Sequence, residues 1–258
     1  MADLFDIDGR TALVTGGSRG IGLMIARGLL EAGARVIVSS RKTADVEQAA
    51  SRLAEIGDCV AIPADVSTPE GAAALAAATA ERFPALNILV NNAGATWGAP
   101  LEEFPASGWD RVAHTNVEGV FHLTVGLLAP LRAAASADDP GRVINIGSID
   151  GLRVPSMENY SYSASKAAVH MLTRHLAKRL APEHITVNAI APGPFESKMM
   201  AFALEDPGTR SAIEQSVPLG RIGRPDDVAG LVRFLASRAG SYLTGEVIAL
   251  DGGITGCG

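Results

Sequence analysis

The sequence predicts an α/β protein: a single doubly wound domain with about seven parallel strands and helices on both faces. Two observations predict it. Short runs that are apolar throughout recur along the chain and alternate with stretches long enough for helices, and strands lacking polar alternation are strands covered on both sides. The first such run stops at Gly16-Gly17-Ser18-Arg19-Gly20-Ile21-Gly22, just before a helical pattern, the layout of a phosphate cradle at the head of a parallel sheet. With 258 residues, 47% of them hydrophobic and 19% charged, the chain has material for a large core, and 1–258 reads as one domain.

Residues 11–15 form the first strand candidate. After the glycine turn, Ile21, Ile25 and Leu29 recur every four residues as far as Gly33, a helix closed by a glycine. The glycines let the backbone approach a pyrophosphate, and the helix start offers it free N–H groups and a positive dipole end. Strand candidates follow at 36–38, 60–62, 88–90, 143–146, 185–190 and 247–250, with helices expected over 44–56, 70–82 and 107–131. This alternation is that of a Rossmann-like sheet. The alanine-rich 70–82 reads as a surface helix, because alanine is the best helix former. Residues 134–141 read as an acidic surface loop. From 194 to 218 the chain is irregular, with Phe195, Met199, Met200, Phe202 and Leu204 among Glu, Asp, Pro and Gly. It follows a strand candidate at the ligand end of such a sheet, so a substrate lid is expected there, the alternative being an inert excursion.

A net charge of −6 gives no footprint for nucleic acid or an anionic membrane, both of which call for clustered Lys and Arg. The first ten residues lack the basic flank and apolar run of a secretory signal. No apolar stretch approaches the roughly 18 residues that cross a bilayer. A cytoplasmic protein is expected, with Cys59 and Cys257 unpaired. The five histidines show no ligand spacing, so no metal is expected.

The candidate chemistry lies at Ser148 and at Tyr162-x-x-x-Lys166. On a helix, Tyr162 and Lys166 stand one turn apart on one face. A cation beside a phenol favours the phenolate, so Lys166 is expected to lower the Tyr162 pKa toward neutrality and suit it to proton transfer.

With the glycine turn and the Tyr–Lys pair in one α/β chain, the sequence resembles the short-chain dehydrogenase/reductase family from end to end. The matches are Thr15-Gly16-x-x-x-Gly20-x-Gly22, Asp65-Val66, Asn91-Asn92-Ala93-Gly94, Asn116, Ser148, Tyr162-x-x-x-Lys166, Pro192-Gly193 with Ser197, and Asp251-Gly252-Gly253. Within the family it is most similar to bacterial 3-oxoacyl (β-ketoacyl) reductases, and among these to the branch associated with rhamnolipid synthesis. Residues 16–22, 142–148 and 191–195 carry that likeness.

The resemblance implies a catalytic set. Tyr162 protonates a substrate carbonyl oxygen as hydride arrives, and Ser148 hydrogen-bonds the same oxygen. Lys166 tunes Tyr162 and holds the nicotinamide ribose, and Asn116 positions a water. Ser148 and Tyr162 are 14 positions apart, one more than is usual in the family. Tyr160 would roughly restore the tighter register, but its fourth neighbour is Ala164, so Tyr162 keeps the assignment.

For the cofactor, the resemblance implies Gly16, Ser18, Arg19, Gly20, Ile21 and Gly22 at the pyrophosphate and Ser40 and Arg41 at the adenosine ribose. Asp65 and Val66 border the adenine. Asn92, Ala93 and Gly94, with Tyr162 and Lys166, serve the nicotinamide side, and Pro192, Gly193, Phe195 and Ser197 the carboxamide end. Residues 39–42 are Ser-Ser-Arg-Lys, without the acidic side chain that NAD-binding members place after the second strand. Arg41 and Arg19 suit a 2′-phosphate, so NADP(H) is expected, with Arg41 merely opening the next helix as the alternative.

Trp97, Ile149, Val154, Met157, Phe195, Met199 and Phe202 are the candidate substrate lining, mainly apolar, which fits an acyl chain or hydrophobic ketone better than a sugar. An acyl carrier protein is a partner by resemblance. Charge opposes it, because Asp138, Asp139 and Glu183 leave only a modest patch at Lys178 and Arg179. Two other readings stay open: a broad carbonyl reductase or secondary-alcohol dehydrogenase on small ketones, and a non-enzymatic NADPH-binding regulator. Helices 107–131 and 162–180 are apolar on more than one face, and family members pair through them, so a homotetramer is expected.

Overall fold

The computed structural model describes residues 3–196 and 206–257. Seven strands, β1 (Thr11–Thr15), β2 (Arg35–Ser40), β3 (Cys59–Pro63), β4 (Ile88–Asn91), β5 (Gly141–Ile146), β6 (Ile185–Pro192) and β7 (Val247–Leu250), form one sheet in the order β3-β2-β1-β4-β5-β6-β7. Every pairing is parallel. Winding reverses between β1 and β4, so the crevice for a ligand opens beyond the carboxyl ends of those strands.

The apolar strands sort by pleat. Ala12 and Val14, Val36 and Val38, Ile88 and Val90, and Ile144 and Ile146 face one layer, packed with Ile25, Leu29, Val228 and Val232. Their neighbours Leu13, Ile37, Leu89 and Val143 face the other, with Leu75, Leu123, Leu127 and Leu180. Successive side chains of a strand point to opposite faces, and a covered sheet therefore needs no polar positions. The α-helices among the described residues are α1 (Gly20–Glu31), α2 (Thr43–Leu53), α3 (Pro69–Arg82), α4 (Ala106–Ala113), α5 (Gly119–Gly126), α6 (Leu128–Ala134), α7 (Tyr160–Leu180), α8 (Pro207–Ser216) and α9 (Pro225–Ala236).

Three segments differ from expectation. The single helix expected over 107–131 is three pieces: a π-turn at His114–Glu118 joins α4 to α5, and α6 leaves at 56°. Pro130 explains the second break, because its ring lacks an N–H and collides with the carbonyl four residues earlier, at Gly126. The loop at 134–141 does more than face solvent: Asp139 pairs with Arg10 at 2.9 Å and with the buried Arg142 at 3.6 Å. The irregular 194–218 contains α8, started by Asp206, whose carboxylate accepts from the Thr209 N–H at 2.7 Å.

No single helix among the described residues is long and apolar enough to cross a membrane. The bent run α4–α6 passes by length and composition, yet Val112, Leu123, Leu127 and Leu131 on it are buried in the core.

Candidate active site

The glycine turn joins β1 to α1. Gly16 and Gly20 have φ of 65° and 54°, the left-handed region that side chains avoid. A Cβ on Gly22 would collide with the Gly16 carbonyl, and one on Gly16 would stand 2.7 Å from the Asn92 amide nitrogen. That amide donates to Thr15 O at 2.9 Å, while the Thr15 hydroxyl accepts from the Asn92 and Ala93 N–H groups, both at 3.0 Å. The turn is thus sewn to the end of β4, and the start of α1 has no side-chain cap, leaving its N–H groups for an anion. Thr15, which the sequence offered only as the first residue of the glycine motif, is what holds the turn to β4.

At the end of β2, the Ser39 and Ser40 hydroxyls are buried without a hydrogen-bond partner among the described residues. Next to them Arg41 is 58% exposed, with Nη1 3.8 Å from Asp65. The other oxygen of Asp65 accepts from the Ser67 N–H and hydroxyl. An unsatisfied hydroxyl beside an extended guanidinium fits a phosphate-bearing ribose.

The candidate reacting groups come from the end of β5 and one face of α7. Ser148 follows β5 and is 7% exposed; its hydroxyl also accepts from the Asp150 N–H at 3.1 Å. Tyr162 hydrogen-bonds Ser148. Lys166 is 5% exposed, donates to Ile146 O at 2.8 Å and lies 5.5 Å from the Tyr162 ring centroid. Tyr160, by contrast, stands at the exposed start of α7, bonded to Glu158 and edge-on to Phe104.

The pKa directions correct the sequence expectation. Burial pushes Tyr162 up to about 12, against the Ser148 hydrogen bond that lowers it and with the Asp150 charge that raises it. Burial alone pushes Lys166 down to about 8. Desolvation of both groups outweighs the expected attraction, and the polypeptide by itself keeps Tyr162 a protonated phenol.

Asn116 sits in the π-turn, a distortion frequent at functional sites. Its amide is spent: the oxygen accepts from Ala95 N at 2.8 Å and the nitrogen donates to Ala95 O at 3.0 Å and to Ser165 Oγ at 2.9 Å. Ser165 in turn donates to Tyr162 O at 2.7 Å, so Asn116 ties the Asn92–Gly94 segment to the catalytic helix. Any water that Asn116 positions contacts its main chain rather than its side chain.

The other expected cofactor residues surround the same crevice. Val66 is 8% exposed, and Gly193 donates its N–H to Leu250 O at 3.0 Å, with Asp251 filling the space beside its Cα. The expected substrate lining is dispersed. The Trp97 ring lies on Gly108 with Arg111 over it at 5.9 Å. Phe195 is 2% exposed, its ring sealed over Gly223 in the core, so only its backbone faces a ligand. Ile149 is buried, while Val154 is 91% and Met157 49% exposed at the cleft rim. Ser197, Met199 and Phe202 lie outside the described residues.

A phosphate cradle at the switch point, facing a hydroxyl pair and a buried lysine on the next strand end, is the layout of a nucleotide-dependent oxidoreductase. Comparison with known proteins agrees. Residues 16–255 match the family described as Enoyl-(Acyl carrier protein) reductase, a division of the short-chain dehydrogenases. The chain is 53% identical to the rhamnolipids biosynthesis 3-oxoacyl-[acyl-carrier-protein] reductase of Pseudomonas aeruginosa, over 98% of this chain and 99% of that one. It is 40% identical to the galactitol 2-dehydrogenase (L-tagatose-forming) of Cereibacter sphaeroides, over 98% and 97%. The solved RhlG/NADP active-site complex of P. aeruginosa superposes with a TM-score of 0.96 at 52% identity, covering 99% of this chain and 100% of that one. The chain belongs to the short-chain dehydrogenase/reductase family.

Proposed function

We propose that this protein is an NADPH-dependent reductase that converts a 3-oxoacyl thioester to the 3-hydroxyacyl product. The Ser148–Tyr162–Lys166 arrangement beside the glycine cradle carries the reading, and the 53% identical relative named as a 3-oxoacyl reductase gives the substrate class. The cradle at Gly16–Gly22 and the uncapped start of α1 hold the pyrophosphate, and Ser40 with Arg41 receives the 2′-phosphate. When bound, NADPH supplies the hydride. Tyr162, kept protonated, gives its proton to the carbonyl oxygen as negative charge develops there, and the Ser148 hydroxyl donates a hydrogen bond to the same atom. The Lys166 ammonium then lies beside the phenolate left behind. The Asn116 main chain orients the water that returns the proton.

The whole of 1–258 acts as one cytoplasmic domain; the middle of the lid expected at 194–218, residues 197–205, lies outside the described residues. Carrier docking has weak support at the end of α7, because Arg179 and Arg132 both grip Glu183 at 2.6 Å, which leaves Lys178 as the cation there without an ion-pair partner among the described residues. Coenzyme A thioesters therefore serve about as well as carrier-linked ones. A second reading rests on the 40% identical galactitol dehydrogenase: general oxidoreduction of small ketones and secondary alcohols.

Following NADPH oxidation with acetoacetyl and longer 3-oxoacyl thioesters, beside simple ketones and diketones, separates the two. Turnover that rises with acyl length, drops with NADH and disappears in Tyr162→Phe is expected. Turnover on ketones alone would move the assignment to the second reading.

A further inference from the structure

The face of α7 that carries Tyr162 and Lys166 continues one turn further to His170, 4% exposed. Each of the three meets a different part of one short stretch after β5. Tyr162 bonds Ser148, Lys166 holds Ile146 O at 2.8 Å, and the His170 ring lies against the two glycines that bracket the Ser148 turn. A Cβ on Gly147 would overlap His170 Nε2 and stand 2.8 Å from Cδ2; one on Gly151 would stand 2.8 Å from Cε1. At Gly147 no side chain longer than hydrogen fits against the imidazole, while at Gly151 a Cβ would also stand 2.7 Å from the α7 backbone at Ala167 N and Lys166 C. Neither ring nitrogen has a close hydrogen-bond partner among the described residues. A fully buried histidine without a firm partner is costly, and the reaction as derived above makes no use of it.

We propose that His170 is a positioning residue for Ser148: its ring is the spacer that sets the distance between the end of β5 and α7, and with it the aim of the Ser148 hydroxyl toward the carbonyl oxygen. The proposal rests on the catalytic reading of Ser148 and Tyr162. The contacts have the form of a spacer at the Gly147 end of the turn Gly147–Gly151: the ring is the nearest neighbour of Gly147, whereas Gly151, whose N–H closes on Ser148 O at 3.0 Å, is seated directly on the α7 backbone at Lys166 and Ala167. The strand side of the turn is pinned separately, by Gly147 N–H to Ile190 O at 2.7 Å. With the ring removed, the Gly147–Ser148 segment between these two anchors loses its backing from α7, and the Ser148 hydroxyl is free to move. Displacements on the order of 1 Å at a reacting group cost about 100-fold in rate. A neutral ring suits the task. Burial first, then the Lys166 charge, hold His170 down at about 4 against the main chain of Gly151, so it does not compete with Lys166 for charge at neutral pH.

The test is a double-mutant cycle on the full chain with NADPH and a 3-oxoacyl thioester. His170→Ala should lower kcat by at least about tenfold, leave KM within about threefold, and leave the NADPH dissociation constant, read by its fluorescence, within about twofold. The decisive arm is Ser148→Ala, in whose background His170→Ala should cost less than about twofold, because the spacer acts through Ser148. His170→Gln, which keeps a flat neutral group near the glycines, should recover most of the loss. Costs that add in the double mutant, or an unchanged kcat in His170→Ala, overturn the proposal. If His170→Ala does not fold, the same cycle is run with His170→Asn, whose shorter side chain leaves Gly147 unbacked, and additivity of its cost there overturns it equally. A Ser148→Ala enzyme of full activity would instead sink the catalytic reading, and the proposal with it, whereas an inactive Ser148→Ala beside a fully active His170→Ala removes the spacer alone.

Discussion

A phenol held at about 12 by burial is a poor base and a well-kept acid, which suits reduction, where Tyr162 must arrive protonated and release its proton only as the carbonyl oxygen gains charge. The group that titrates near working pH is Lys166, lowered by burial to about 8. Below that value it is an ammonium that stabilises the forming phenolate; above it the charge is lost. The neighbouring groups do not confuse the assignment: Tyr162 titrates above the window, and His170, at about 4, lies below it. Reductive kcat/KM is therefore expected to be level from pH 6 to about 7 and to fall roughly tenfold per unit above about 8. In Lys166→Arg, weaker but permanently charged, the descending limb should leave the range; a limb that stays near 8 would mean that another group controls it. At this scale the grouping of the candidate residues was legible, because Tyr162 alone has a lysine four positions on while Tyr160 has Ala164, and the fold brings Tyr162, Lys166 and Ser148 together. The Tyr162 pKa was not legible, since desolvation is set by the packed surroundings and not by spacing. The rings of Phe195 and Trp97 were misjudged for a related reason: the glycines that receive them, Gly223 and Gly108, are distant in sequence or on another element.

Elements announced by apolar runs were read within a few residues, and those that depend on remote partners were not. Residues 36–38 proved to be the centre of β2, and β7 was found in full, because a two-sided sheet leaves a continuous apolar signature. The π-turn at Asn116 has no comparable signature; it is held by bonds to Ala95 and Ser165, 21 and 49 positions away. Arg142 is the plainest case. The strand expected from 143 starts at Gly141 and takes Arg142 in, and this charged side chain is 1% exposed. Its guanidinium donates to Leu235 O at 3.1 Å, to Ser237 O at 3.0 Å and to Pro140 O, and Arg10 donates to Ala236 O at 3.0 Å. The last carbonyls of a helix lack partners and carry its negative dipole end, so the two arginines cap α9 across the sheet. Burial brings Arg142 down to about 10, with the Asp139 charge opposing, and it remains a cation at neutral pH. Arg142→Lys cannot span three carbonyls from one ammonium. The substitution should cost about 2–4 kcal/mol and lower the melting temperature by on the order of 10 °C, with KM unchanged in enzyme that remains folded. A shift under about 2 °C by calorimetry would show that the cap contributes little.

For the whole molecule, the surface behind the catalytic set argues for assembly. Trp109 on α4, Phe121 and Val125 on α5 and Met171 on α7 are between 43% and 55% exposed, a large apolar outlay on the outer sides of helices whose other sides are already packed on the sheet. Helices apolar on two sides are usually buried on both, and exposed apolar patches of this kind mark interfaces. The homotetramer that the family resemblance implies would cover these residues by pairing α4–α5 and α7 with the same helices of a second copy. Such pairing would reach the chemistry, because Asn116 lies between α4 and α5 and links Ala95 to Ser165 on α7. Small-angle scattering of the protein should give four times the protomer mass. Phe121→Glu with Val125→Glu, which places like charges where the two copies meet, should reduce that mass to a half or a quarter. The same change should cut kcat by roughly tenfold while NADPH still binds, since the cradle at Gly16–Gly22 is built on β1 and α1 and not on the paired helices. A wild-type monomer in scattering would remove the assembly, and a dissociated variant with full kcat would separate the interface from catalysis.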